Sequence, residues 1–291
     1  MELILATTAV GRPRGIGHLA GCAVLTLLAA VASPLHAQNV DPIDRDTGNG
    51  IPMSMFGTYV EEGQLLVYPF AEYYRDSQSE YQPSELGYVG DADYFGSYEA
   101  LEGLIFLGYG ISNRWAVEFE AAVISARQER DPTDPGDFPQ ELKQSGLGDV
   151  EGQLRYMWRR QTAERGGVFS YFETVLPIQR KKRLIGTPNW EFKFGTGYIR
   201  SYTWGTMTYR ASVAYDKGPE LGEYAVEYAR QLSNRVRVYG GVEGTEDEVE
   251  FITDLQLFLK SNVVLKVNNA FGLTKKAASW APELGVLFRF R

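Results

Sequence analysis

Histidine and cysteine are almost missing from this sequence of 291 residues, which has 2 His (His18 and His36) and 1 Cys (Cys22). All three lie in a segment that reads as an export signal. Arg12 and Arg14 open it, GCAVLTLLAAVAS is its apolar stretch, and SPLHA before Gln38 offers cleavage after Ala37. The letters LAGC (19–22) also spell a lipoprotein box. The apolar run follows Cys22 instead of preceding it, which favours the ordinary secretory reading. Beyond residue 37 the chain therefore has no disulfide, no thiolate or imidazole metal ligand and no imidazole base. Serine hydrolysis driven by histidine, the chemistry of lipid-cleaving barrels, is excluded, and neither a metal nor a cofactor is expected.

A basic excess is also lacking. Lys and Arg number 29 against 37 Asp and Glu, a formal charge of −8, so nucleic acid is not an expected partner. After the signal no apolar run approaches the ~18 residues of a spanning helix. An exported chain that enters a membrane without such a helix must close a barrel.

Aromatic residues and glycine are abundant: 18 Tyr, 15 Phe and 31 Gly, with a mean hydropathy of only −0.25. From about residue 64 the chain alternates. Trp115, Val117, Phe119 and Val123 share one face and Glu118 and Glu120 the other. Trp190, Phe192 and Phe194 oppose Glu191 and Lys193. Tyr224, Val226 and Tyr228 oppose Glu223 and Glu227. Leu284, Val286, Phe288 and Phe290 oppose Glu283 and Arg289. About twelve such segments of roughly 9 to 13 residues can be counted, the length of a tilted membrane strand.

Short connections (110–113, near Thr203, 232–234, 260–262) alternate with longer ones (75–97, 127–146, 178–189, 274–281). The run 159–167 is long where a short turn is expected. Trp and Tyr collect at segment ends, as at Tyr109, Trp115, Trp158, Trp190, Trp204, Tyr215 and Trp280. The pattern predicts an all-β, transmembrane antiparallel β-barrel of about twelve strands, outer-membrane type, with its apolar face toward lipid; a soluble sandwich is the alternative. The organisation expected is a signal peptide (1–37), a polar leader (38–63) lying in the periplasm or tucked into the barrel mouth, and the barrel (64–291). The closing strand ends on Arg291 rather than on the aromatic residue that barrel-assembly machinery commonly reads.

The stretches SGLGDVEGQLRYMW (145–158), ETVLPIQ (173–179) and YGISNRWAVEF (109–119) resemble the outer-membrane family named for the MetA pathway of phenol degradation. Leu176 and Pro177 match that family's corner, but IQRKKR stands in place of its small-residue turn. The resemblance spans roughly residues 64–291. It implies a barrel that transports small molecules, aromatic or hydrophobic ones among them, and carries over no catalytic residue.

Strand parity turns a mixed-charge set toward the lumen. The candidate pore lining is Glu118, Glu120, Glu151, Arg155, Glu191, Lys193, Arg210, Glu223, Glu227, Arg235, Arg237, Glu250, Asp254, Lys266 and Arg289. Acids outnumber bases, which predicts a weak cation preference. Glu118 and Glu120, roughly 6.5 Å apart by strand rise, have the make-up of a glycosidase acid and base, but a structural ion-pair lattice explains them better. Arg180, Lys181, Lys182 and Arg183 form the one basic cluster, suited to lipopolysaccharide phosphates or to a solvated loop tip. Asp131, Asp134 and Asp137 are spaced three apart, unlike a calcium loop, and read as a proline-stiffened surface loop. The functions in contention are a channel or transporter for a small solute, a non-conducting structural or adhesive barrel, and, last, a carboxylate enzyme. The partners expected are outer-membrane lipid or lipopolysaccharide, the solute and the assembly machinery.

Overall fold

In the computed structural model residues 41–46, 50–53, 58–215 and 218–291 are described; the expected signal and its cleavage site lie outside them. A short helix α1 (Pro42–Asp46) and a small hairpin, β1 (Ile51–Pro52) and β2 (Tyr59–Val60), precede the barrel. Twelve strands follow: β3 (Leu65–Tyr81), β4 (Tyr94–Gly110), β5 (Trp115–Glu129), β6 (Glu141–Arg159), β7 (Gly167–Leu176), β8 (Glu191–Tyr202), β9 (Gly205–Tyr215), β10 (Pro219–Ser233), β11 (Val236–Gly244), β12 (Val249–Lys260), β13 (Val263–Gly272) and β14 (Ala281–Phe290). Each pairs antiparallel with its chain neighbours, and β14 closes on β3. Closure leaves no sheet edge in the bilayer, where an unpaired backbone group has no water to bond.

The apolar faces look outward. Phe194 is 62% exposed, Val123 61% and Leu284 57%, while Glu283 and Leu287 on the opposite face of β14 are buried. Such exposure over a whole barrel is a lipid-facing surface. Rings rim it at both ends. Trp115, Tyr156 and Trp158 cluster at the short-turn end, the first two tilted with centroids 4.6 Å apart and the last two edge-to-face at 4.7 Å. Trp190, Tyr215 and Trp280 are exposed at the other end.

Several strands exceed the expected 9 to 13 residues: β3 and β4 have 17, β5 has 15 and β6 has 19. Much of the sequence expected as loops 75–97 and 127–146 is strand, because cross-strand charge pairs continue the ladders above the apolar band. Pro69, which has no N–H to give, sits on β3 where the seam with β14 skips Val286 and Leu287. The connection 160–166 does lie at the short-turn end, held to its neighbours by Arg160 to Asn113 (2.7 Å) and Gln161 to Ser201 (2.9 Å). Inside, a Cβ on Gly195 or Gly197 would collide with the rings of Tyr171 and Phe169 from β7. Glycine there lets inward aromatics lie flat on the next strand.

Candidate functional site

The barrel interior gathers charge into buried groups. Its first group joins β5 to β8. Arg155 Nε lies 3.0 Å from Glu118 Oε1, Gln153 donates to Glu173 (2.5 Å), and Lys193 Nζ lies 2.9 Å from Glu173. Arg155 is 2% exposed and spans the rings of Phe169 and Tyr171 at 5.9 and 5.6 Å. A second group centres on Arg210, which meets Glu223 at 2.6 Å, Glu227 at 3.1 Å and Glu243 at 3.6 Å. In the third, Lys266 lies 3.9 Å from Asp254 and over the Tyr68 ring, Tyr68 donates to Glu283, and Arg237 donates to Gln256 (2.7 Å). A buried base so enclosed by acids fixes the wall's shape more than it adds stability.

Several inward acids face one another across the ladders. Glu72 stands opposite both Glu283 and Glu102, Glu120 opposite Glu151, and Glu243 opposite Glu250. Glu72, Glu102, Glu120, Glu151 and Glu250 carry no ion pair among the described residues, where like charges directly across a ladder are unfavourable. No group of three or more Asp or Glu that could hold a metal ion is found among the described residues. A cavity of about 50 Å³ beside Glu118, Glu120, Glu151, Gln153 and Glu173 leaves room for water at this wall.

Both mouths are furnished. At the short-turn end the N-terminal segment enters the lumen. Asp46, 1% exposed, accepts from Thr206 Oγ1 (3.0 Å) and the Gln231 N–H (3.0 Å), and its carbonyl accepts from Arg237 (3.1 Å). Arg155 donates to the Pro52 carbonyl (2.7 Å). Ile51, Met53 and Val60 pack against inward Leu66, Tyr68, Met157 and Phe169. Of the two locations expected for the leader, the described part occupies the barrel mouth.

At the long-loop end the stretch 177–190 covers the part of β6 that β7 does not reach. Asp149 holds it by accepting from the N–H groups of Ile178 (2.8 Å), Gln179 (3.3 Å) and Thr187. Gly146, at φ 143°, and Gly148 leave the space in which Lys182 and Ile185 lie. The Gly-Leu-Gly-Asp motif thus builds a loop seat. Leu184 and Ile185 turn inward onto Ala100 and Ala126. Nearby, burial pushes the Glu85 carboxyl up and the Lys276 ammonium down, and Lys276 lies 3.3 Å from Asp247.

Glu118, Glu120, Glu151, Arg155, Lys193, Arg210, Glu223, Glu227, Arg237, Glu250, Asp254 and Lys266 share the inward faces, and Glu191 follows Lys193 at the long-loop end of β8. Arg289 sits at the short-turn rim, bonded to the Ser261 carbonyl. Arg235 is corrected: Ser233 pairs with Val236, which leaves Asn234 and Arg235 as the exposed turn between β10 and β11. Of the basic cluster, Arg180 and Lys181 are exposed, whereas Lys182 donates to the Ser145 carbonyl (2.5 Å) and Arg183 is half-buried. Asp131, Asp134 and Asp137 shape their loop, accepting from Phe95, Tyr81 and Val89. Missed from the sequence were Glu72, Glu102 and Glu243, which the same parity would have found, and Asp46, whose segment has no period to read.

No protein-family model matches the sequence, and no curated protein matches it. Solved structures do. An outer-membrane channel from Pseudomonas putida F1 superposes with a TM-score of 0.60 at 12% identity, over 87% of this chain and 100% of that one. The KdgM porin, solved with disordered oligogalacturonate, gives 0.51 at 8% over 77% and 99%. The translocator domain of the autotransporter NalP from Neisseria meningitidis gives 0.50 at 10% over 93% and 96%. The fold is an outer-membrane β-barrel. At these identities the likeness extends to the fold alone.

Proposed function

We propose that this protein is a channel of the bacterial outer membrane that passes small molecules and whose short-turn mouth is closed by its own N-terminal segment. The observation that carries the reading is the contrast between wall and plug. The wall is a continuous hydrogen-bonded barrel, whereas the plug is held by a few side-chain bonds and an apolar patch, through Asp46, Pro52 and Met53. The plug precedes β3, so its withdrawal breaks no ladder. Short turns in such barrels face the periplasm, which puts the plug on the inner side.

The acid wall favours small polar or cationic solutes. Aromatic solutes are what the resemblance to the MetA-pathway family adds, and membership of that family is part of the proposal. The lining roles of the inward charges rest on the same reading, and catalysis has no support from the ion-paired Glu118. The test is single-channel recording in a planar bilayer, comparing the chain from residue 38 with one that starts at Glu61. Larger or longer-lived steps from the shorter chain support the plugged channel. Two folded barrels without steps would favour a structural protein.

A further inference from the structure

Above the apolar band, on the outer surface of the tall wall, one row of the sheet is charged. Register pairs Arg75 with Glu99, Glu99 with Arg127 and Arg127 with Lys143 across β3 to β6. The row directly below it in register is Tyr73, Leu101, Ser125 and Ser145. Leu101 is 58% exposed there, and Trp280 meets the Tyr73 ring edge-on at 6.2 Å. The charged row therefore begins where the lipid-facing surface ends, at the long-loop end.

Three of its four members are cations, and Arg127 and Lys143 stand directly opposite each other. Glu99 is shared between Arg127 (2.9 Å) and Arg75 (3.8 Å), and Glu141 between Lys143 (2.7 Å) and Arg127 (3.4 Å). The side chains of Arg75 and Lys143 remain 61% and 64% exposed. Lys182 brings a further ammonium to the Ser145 carbonyl, two residues from Lys143. The next row sets Glu129 opposite Glu141, with Glu129 3.7 Å from Arg127, so three acids meet the three bases. The donors still open to solvent are those of Arg75 and Lys143, which stand on the outside of the barrel at headgroup depth.

We infer that Arg75, Arg127 and Lys143 form a ledge that binds the phosphates of lipopolysaccharide in the outer leaflet. Arginine forks fit phosphate oxygens, and a cation at the headgroup boundary gains from both charge and partial desolvation. This rests on the outer-membrane placement and not on conduction. It also differs from a contact through the exposed loop residues Arg180 and Lys181.

The experiment reconstitutes the chain from residue 38 into vesicles and titrates lipid A carrying its phosphates, then the same lipid dephosphorylated. Intact lipid A should bind the wild type roughly ten- to a hundredfold more tightly than it binds an Arg75→Ser, Arg127→Ser, Lys143→Ser variant. Dephosphorylation should erase that difference. An Arg180→Ser, Lys181→Ser variant should bind like wild type. Folding is checked by the mobility difference between boiled and unboiled samples. If the triple variant does not fold, Lys143→Glu against Lys143→Arg carries the test, with binding retained only by the second. Equal binding of both lipid forms, or a loss confined to the loop variant, overturns the ledge alone. A chain that enters no vesicle overturns the membrane placement with it.

Discussion

Asp46→Ala is the sharpest perturbation of the plug. Its carboxylate makes two bonds to the barrel wall, from Thr206 Oγ1 and from the Gln231 N–H, both 3.0 Å long. Its contact with Arg45 lies within the plug and travels with it. A hydrogen bond to a charged group contributes about 1.5 to 3 kcal/mol. Water in the opened mouth re-solvates the donors left behind, so the lower figure applies to each bond. The loss is then about 3 kcal/mol, on the order of a hundredfold in the docking equilibrium. The guanidinium bonds from Arg237 and Arg155 to plug carbonyls, those from Arg45 to the Tyr202 and Thr203 carbonyls, and the packing of Ile51, Met53 and Val60 remain, so docking weakens without vanishing.

A plug withdrawn about one hundredth of the time would become withdrawn about half of the time. Single-channel recording should register this as a rise in open fraction, with Asp46→Asn intermediate. A second readout is available because the chain from residue 38 has no cysteine. A Cys placed at Met53, 0% exposed, should label with a water-soluble thiol reagent far faster in the Asp46→Ala background. Unchanged open fraction together with unchanged labelling would refute the latch.

Glu120→Gln with Glu151→Gln removes one facing pair of unneutralised acids, and the reversal potential in a salt gradient should move toward zero selectivity; no movement would remove these two from the lining. Asp149→Ala strips three N–H partners from loop 177–190. Trypsin should then cut at Arg180 to Arg183 at least tenfold faster while the barrel stays folded, and an equal rate would show that Leu184 and Ile185 alone seat the loop. Asp131 accepts from the Thr133 and Phe95 N–H groups and the Thr133 hydroxyl, which hold its carboxyl below the usual aspartate range. These bonds therefore support the loop at any pH above the ordinary value of about 3.9 and fail as pH falls through the depressed one. Proteolysis of residues 130–140 should rise in that acid window, and Asp131→Asn should abolish the pH dependence.

The period of two was enough to settle the class, the strand count and the sense of the barrel. Trp115, Phe119 and Val123 on one face and Glu118 and Glu120 on the other state which side meets lipid wherever the segment lies in space. The inward faces of Lys193, Arg210 and Glu227 were legible for the same reason, since parity is local to a strand. Parity says nothing of where a strand ends, and Arg235 was misread because it lies in the turn that Ser233 and Val236 close.

What pairs with what is not local. Register between strands decided that Arg155 meets Glu118 while Glu120 faces Glu151, so that one carboxylate is neutralised and its neighbour two residues on is not. The same register lined up Arg75, Arg127 and Lys143 at the edge of the apolar band. Closure of the barrel decided the rest. Thr206, Gln231 and Arg237, on the adjacent strands β9 to β11, bond Asp46 from up to 191 residues away in the chain, because the closed wall curves their inward faces toward the segment that precedes β3.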